Sequence, residues 1–413
     1  MEKLALLGGQ PVRTMPFAPW PRFDEREREA LLAVLESRNW GGFPAPNTRA
    51  RQFATRFAAY HGAEYGICCS NGSISMELAL RAVGVEAGDE VIVPPYTWIA
   101  TAGAPVHINA VPVFVDVSPD NYCLDPELVE AAITPRTRAI IPVHLGASMA
   151  DMDRLMEIAA KHDLVVIEDC AHMHGAFWRG RGAGSIGHFG SFSFQSSKLM
   201  TAGEGGMVTT SNREYYEKVE SLANCSRKEP GYDSFDGFLF GWNARISELQ
   251  AAVLLGQLAR LDEETKYRAK GAQYLRERLK EIPGLTPITP DPRITQEGAY
   301  QFIFKYDREQ MNGIPRDTFL KAVAAEGVDL GGSFYIPIYE SPLFNVTAAE
   351  WPAIRERYGD RIPGNKIDCP VSSKAAYEEA IWLHYPHLMG TQADLDDIIA
   401  ALAKVQQNLD QLR

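Results

Sequence analysis

From residue 65 to residue 169 the chain alternates short apolar runs with helical stretches, and that alternation leaves few folds open. Tyr65–Cys69, Glu90–Val93, Val111–Val117, Ala139–Leu145 and Leu164–Asp169 read as strands. They are nearly continuous in apolar residues, as strands covered on both faces are. Helices fit between them: one following Ser70–Ser73 through about Val83, one over Pro126–Ile133, one over Asp151–His162. Repeated strand–helix units of this kind predict a mainly parallel sheet with helices on both sides.

The next segment, Ser191 to Gly206, begins as an alternating strand. Phe192 and Phe194 share one face, Ser191 and Ser193 the other. Small polar residues, Lys198 and a Gly-rich turn follow, then a second strand, Met207–Ser211. Beyond residue 211 the pattern turns helical, with Arg213–Ala223 and then Arg245 to about Glu281 as one bent helix or two. Residues 225–242 read as a loop rich in Gly and aromatics, and Pro283–Pro292 as a linker. A smaller α/β unit follows: strand Tyr300–Tyr306, helix Arg316–Gly327 and helix Ala393–Gln411. Residues 1–22, with Gly8, Gly9 and four prolines, predict an extended arm without a core of its own.

Composition narrows the function. The 413 residues carry a formal charge of −12, which argues against nucleic acid or an anionic membrane as the main partner. No apolar run is long enough to span a bilayer and no secretory signal opens the chain. The six cysteines lack metal-ligand spacing. A cytoplasmic protein with reduced thiols is expected.

Four features near strand ends carry chemistry. Gly72 and Ser73 stand where a strand becomes a helix, and the free N–H groups there suit a phosphate; the same residues also suit an ordinary helix cap. Trp98, in Pro94-Pro-Tyr-Thr-Trp98, suits stacking on a flat heteroaromatic ring at the carboxyl end of a parallel strand, or core packing. Asp169 closes an apolar strand, where a carboxylate is costly unless paired; a protonated pyridine nitrogen would pair it and keep that ring electron-poor. Lys198, among hydroxyls and glycines, is placed either as an exposed loop lysine or as an amine for a Schiff base with a phosphate-held aldehyde. His172 reads as a neighbour of that ring or its hydroxyl, and His174 as packing. No metal is expected.

With these residues the chain resembles the DegT/DnrJ/EryC1/StrS family of pyridoxal-phosphate (PLP) aminotransferases. The strings that carry the resemblance are Ser70-Asn-Gly-Ser73, Val93-Pro-Pro-Tyr-Thr-Trp98, Pro142-Val-His-Leu145, Glu168-Asp-Cys-Ala-His172, Phe192-Ser-Phe-Gln-Ser-Ser-Lys198, Gly203-Glu-Gly-Gly206 and Gly241-Trp-Asn-Ala-Arg-Ile-Ser-Glu-Leu-Gln250. The resemblance implies an α/β fold of type I, aspartate aminotransferase-like, with a mainly parallel seven-stranded sheet. It implies an arm at 1–22, a large PLP-binding domain at 23–282 with 243–282 as connecting helices, and a small domain at 283–413. It makes Lys198 the Schiff-base lysine and general base, and Asp169 the partner of the pyridine nitrogen. Trp98 then stacks on the ring, and Gly72, Ser73 and Ser193 hold the phosphate. Asn243 reaches the phosphate in the neighbouring subunit, which implies a homodimer with shared sites.

The chain has Asn224-Cys-Ser-Arg227 where many nucleotide-sugar relatives carry Arg-Asp-His-Gly. That string, with Gly332-Ser-Phe-Tyr335-Ile-Pro and Tyr339-Glu-Ser-Pro-Leu-Phe344, is closer to aminotransferases that use glutamine and scyllo-inosose or its 2-deoxy form. A polyhydroxylated cyclic ketone is the expected acceptor, with His144, Arg227, Lys228, Tyr335 and Tyr339 as candidate contacts. Other members of the family leave alternatives open: a nucleotide-ketosugar aminotransferase, an aminohydroxybenzoate-type enzyme, a broad amine transaminase, a dehydratase or a non-catalytic homologue.

Overall fold

The computed structural model describes residues 2–43, 46–345, 351–358 and 367–413. Its strands are β1 (Tyr65–Cys69), β2 (Glu90–Val93), β3 (Val111–Phe114), β4 (Thr137–Ile140), β5 (Val165–Asp169), β6 (Phe177–Trp178), β7 (Arg181–Gly182), β8 (Phe189–Ser193), β9 (Gly206–Thr210), β10 (Leu285–Pro287), β11 (Ile294–Gln296), β12 (Gln301–Tyr306) and β13 (Ala380–His384). The helices are α1 (Glu25–Ser37), α2 (Thr48–His61), α3 (Gly72–Ala82), α4 (Ala100–His107), α5 (Pro126–Ala131), α6 (Met152–His162), α7 (Arg213–Ala223), α8 (Glu248–Leu279), α9 (Arg316–Ala325), α10 (Pro352–Tyr358), α11 (Pro370–Lys374) and α12 (Gln392–Gln407).

Seven strands form one sheet in the order β1-β9-β8-β5-β4-β2-β3. β9 alone runs against the rest: it pairs antiparallel with both β1 and β8, while β8, β5, β4, β2 and β3 pair parallel in turn. The carboxyl ends of β1, β2, β5 and β8 therefore lie along one edge of the sheet. β4 is shorter than the apolar run that contains it, because Pro142 has no N–H to give to a ladder.

The β8–β9 hairpin that carries Lys198 is held by its phenylalanines. Phe192 and Phe194 are fully buried, with Phe57 edge-on to both at 4.8 and 5.4 Å. Each such ring contributes about 1.5–3 kcal/mol by leaving water. The opposite face of β8 sends Ser191 and Ser193 toward α3, as the alternation predicts.

The stretch after residue 243 folds as one 32-residue helix, α8, opened by a Ser247–Gln250 capping box. Its two glycines stand where neighbours come too close for a side chain: a Cβ at Gly256 would lie 2.8 Å from the Glu27 carboxyl, and one at Gly271 2.8 Å from Leu388 O. The expected linker 283–292 contains β10, which pairs with β12. β13 completes that sheet, in the order β10-β12-β13. With α9 and α12 it forms a C-terminal unit with its own core.

The arm departs most from expectation. It docks on its own chain: Leu4 is fully buried in the core of the C-terminal unit. The buried Glu326 carboxylate accepts from Ala5 N–H (2.8 Å), Val12 N–H (3.2 Å) and Lys404 Nζ (2.9 Å). Arg13 pairs with Asp394 and Asp397. All six cysteines are unpaired. No helix among the described residues is long and apolar enough to cross a membrane.

Candidate active site

The site begins where β1 ends. Asn71 caps α3 by accepting the Ile74 N–H at 2.9 Å, and its carbonyl takes the Ser75 N–H. The N–H groups of Gly72 and Ser73 are left without a protein partner among the described residues. Two unpaired N–H groups and the positive end of an 11-residue helix make an anion cradle. Gly72 is glycine because β8 comes so close: a Cβ would stand 2.7 Å from Ser193 Cβ. Ser75 Oγ and Ser191 Oγ are bonded at 2.5 Å, fixing α3 to β8. Ser73 is exposed and Ser193 lies at the cradle's inner wall.

Asp169 stands at the end of β5, beside Ser191 of β8. Its carboxylate accepts from Thr101 Oγ (2.9 Å) and from Ala171 N–H (3.2 Å). Burial raises its pKa above the ordinary carboxylate value; the two hydrogen bonds and the charge of Lys198 act in the other direction. The group is thus a buried carboxylate bonded only to neutral donors.

Lys198 sits in the β8–β9 connection. Its N–H donates to Gln195 O (2.9 Å), and its carbonyl accepts from the Tyr385 hydroxyl (3.2 Å). The ammonium lies 4.8 Å from the centre of the Tyr300 ring, and no carboxylate among the described residues is within ion-pair distance. Trp98 is 61 % exposed, so it is not core packing. His172 is buried, stacked on Tyr300 at 4.1 Å, with one nitrogen near the Tyr335 hydroxyl (3.3 Å). His174 packs against Phe57, Phe192 and Phe194.

The substrate candidates divide. Tyr335 reaches the site through His172. His144 does not: it is fully buried, its Nδ1 accepts the Ala150 N–H (3.1 Å), and its Nε2 faces Glu168 at 3.0 Å. Tyr339 is also withdrawn, 3 % exposed and packed edge-on to Phe114. Arg227 lies over Phe43, and Lys228 donates to Phe235 O at 2.6 Å. Neither makes a hydrogen bond, ion pair or ring contact with Lys198, Asp169 or His172 among the described residues. Asn243 is exposed, bridged to Asn224.

His144, Glu168 and Cys170 come within 4.8 Å of one another, a grouping that resembles a metal site. The lone pairs of its histidine and its carboxylate are already used. His144 accepts at Nδ1, so its Nε2 bears the proton and donates to Glu168. Glu168 also accepts three backbone N–H groups. Burial holds the Cys170 thiol well above its usual pKa.

Sequence reasoning missed Thr101, Tyr300 and His384. Thr101 follows Trp98 by one helical turn, and that spacing was a usable signal. Tyr300 and His384 come from the C-terminal unit with no local motif. Burial, the neighbouring His387 and the Lys198 charge hold His384 to a pKa of about 4, so it stays neutral beside the lysine.

An unpaired ammonium, a buried carboxylate lacking a cation, an open anion cradle and an exposed tryptophan on one sheet edge fit pyridoxal phosphate. Fold and site together define an aminotransferase of fold type I. The chain belongs to the DegT/DnrJ/EryC1/StrS aminotransferase family, whose profile matches residues 21–403. It is 52% identical over 414 residues, covering 100% of both chains, to a Streptoalloteichus tenebrarius protein ascribed the activity L-glutamine:3-amino-2,3-dideoxy-scyllo-inosose aminotransferase. A second protein of that organism, the L-glutamine:2-deoxy-scyllo-inosose aminotransferase, is 38% identical over 99% of each chain. Among solved structures, 3-amino-5-hydroxybenzoic acid synthase superposes with a TM-score of 0.81 at 33% identity, over 95% of this chain and 99% of that one.

Proposed function

We propose that this aminotransferase uses pyridoxal phosphate to move an amino group from L-glutamine to a cyclic polyhydroxy ketone, with 3-amino-2,3-dideoxy-scyllo-inosose as the preferred acceptor. The observation that carries the chemistry is the pair Lys198 and Asp169, on adjacent β5 and β8 ends, each without a bonded counter-ion. The full-length 52% relative supports the acceptor over scyllo-inosose and its 2-deoxy form. When bound, the cofactor supplies an aldehyde and a cationic ring that draws electrons from the carbon bearing the amino group.

The chain's residues divide the work. The Gly72 and Ser73 N–H groups, with Ser193, bind the phosphate. Asp169 holds the proton on the ring nitrogen, and Thr101 and the Ala171 N–H aim it. Trp98 covers an open face and keeps water from it. Lys198 Nζ is the attachment amine and carries the proton between the carbons that lose and gain the amino group.

Shared sites in a homodimer belong to the same reading. Asn243 is exposed, and so are Phe238, Phe240 and Trp242, at 81%, 73% and 64%. An apolar cluster this exposed favours burial against a second copy. Lys198→Ala and Asn243→Ala proteins, mixed and reassembled, are expected to regain part of the activity; full activity in a dilute monomer would count against it.

Half-reactions test the substrate. Glutamine should bleach the yellow protein, and the amino-inosose should restore the colour faster than scyllo-inosose. Restoration by a nucleotide-linked ketosugar alone would overturn the assignment. Borohydride should fix the cofactor to Lys198, and Lys198→Ala should lose at least ~100-fold in rate.

A further inference from the structure

We infer that Tyr335, aimed by His172, is the hydrogen-bond donor to the cofactor's 3-oxygen. This rests on the PLP reading above and goes beyond it, because the sequence points to His172 itself for that contact.

Both nitrogens of His172 are engaged within the protein. Its Nδ1 accepts the Gly146 N–H at 3.3 Å. A neutral imidazole that accepts at Nδ1 carries its proton on Nε2. Burial and the Lys198 charge keep the ring neutral by pushing its pKa well below the usual value. The Nε2–H therefore donates to the Tyr335 oxygen, 3.3 Å away. With its oxygen accepting from His172, the phenol directs its own proton elsewhere. It remains a donor at working pH, since burial and neighbouring Tyr300 and Asp169 raise its pKa well above the usual value.

The arrangement is rigid. The His172 ring is clamped on Tyr300, and the Tyr335 ring lies within 8° of parallel to it. Phe334, Trp382 and Tyr96 surround Tyr335. The direction of the phenol follows from the order of substituents on pyridoxal. Three are assigned: nitrogen to Asp169, aldehyde carbon to Lys198, phosphate arm to the α3 cradle. The 3-oxygen leaves the ring on the side away from the phosphate arm. Tyr335 meets the site at His172, whose ring stacks on the Tyr300 ring that faces Lys198, and the Asp169 charge reaches it.

The absorbance of PLP bound to Lys198, titrated against pH in the holoenzyme, tests this. Deprotonation of that chromophore concentrates negative charge on the 3-oxygen, where a donor matters most. Tyr335→Phe should move the transition to higher pH by about one unit, roughly tenfold in the protonation equilibrium. His172→Asn, which leaves the phenol in place but unaimed, should move it the same way by less. An unmoved transition in Tyr335→Phe overturns the inference, most directly if His172→Asn moves it, since His172 would then be the donor. A wild-type protein without the chromophore would instead sink the PLP reading.

Discussion

Glu168 and Asp169 are consecutive residues of β5, and their side chains leave the strand on opposite faces. Both are buried, at 0% and 6% exposure, but their surroundings differ. Glu168 accepts from Ile186 N–H (2.8 Å), Gly187 N–H (2.7 Å), Gly184 N–H (3.0 Å) and His144 (3.0 Å), so both oxygens are fully used. Asp169 has one hydroxyl and one N–H. A saturated carboxylate ties a loop to a strand and has nothing left for a ligand. An under-bonded one is poised for a partner that brings positive charge. The contrast separates a group that holds the fold from one that serves the reaction, although both are acids in the same strand.

The largest effect expected falls on the saturated side. Glu168→Ala strands three backbone donors and His144, and should lower stability by about 3–5 kcal/mol in urea unfolding. A loss under 1 kcal/mol would erase the contrast. Asp169→Asn keeps the shape and removes the charge. It should lower turnover about 100-fold, ~2.7 kcal/mol, while the protein stays folded. Wild-type turnover would make the carboxylate dispensable. Thr101→Val leaves Asp169 with one donor and should cost about tenfold in kcat/KM, consistent with a hydrogen bond to a charged group. Equal loss in the Asp169→Asn background would show that Thr101 acts elsewhere.

The smallest effect is on stability in the cofactor-free protein. Because the folded pKa of Asp169 is raised, the native state holds its proton where the unfolded chain has lost it. Stability attributable to this group therefore falls as pH rises from the unfolded value of 3.8 through the folded one. Cofactor-free Asp169→Asn should be more stable than wild type at pH 7 and indistinguishable from it below that window. Urea midpoints at the two pH values check the sign.

The parts of the site legible in sequence are those coded locally. Gly72, Asp169 and Lys198 each close or follow a strand whose apolar run is visible, and the parallel sheet aligns their ends. The saturation of Glu168 was hidden because its donors at 184–187 come from an irregular loop with no periodic pattern. His144 looked available for the same reason. Tyr300 and His384 arrive from the C-terminal unit, more than 100 residues beyond Asp169 in the chain, and no spacing rule spans that distance. The arm's prolines and glycines said nothing of where it docks. Its docking depends on Glu326 and Lys404, 78 residues apart in the chain, meeting in three dimensions.

Gly146 joins these two levels of organisation through a single residue. Its N–H fixes His172, and its carbonyl accepts from Tyr300 N–H (3.1 Å) and Gln301 N–H (3.4 Å) at the start of β12. Its φ of +65° suits glycine, and a Cβ there would stand 2.6 Å from Ile303 Cδ1. Any hinge motion that carried β12 away from the large sheet would pull on the residue that orients the imidazole. Gly146 would thus act as a mechanical transmission, carrying a displacement of the C-terminal unit to the imidazole through one residue.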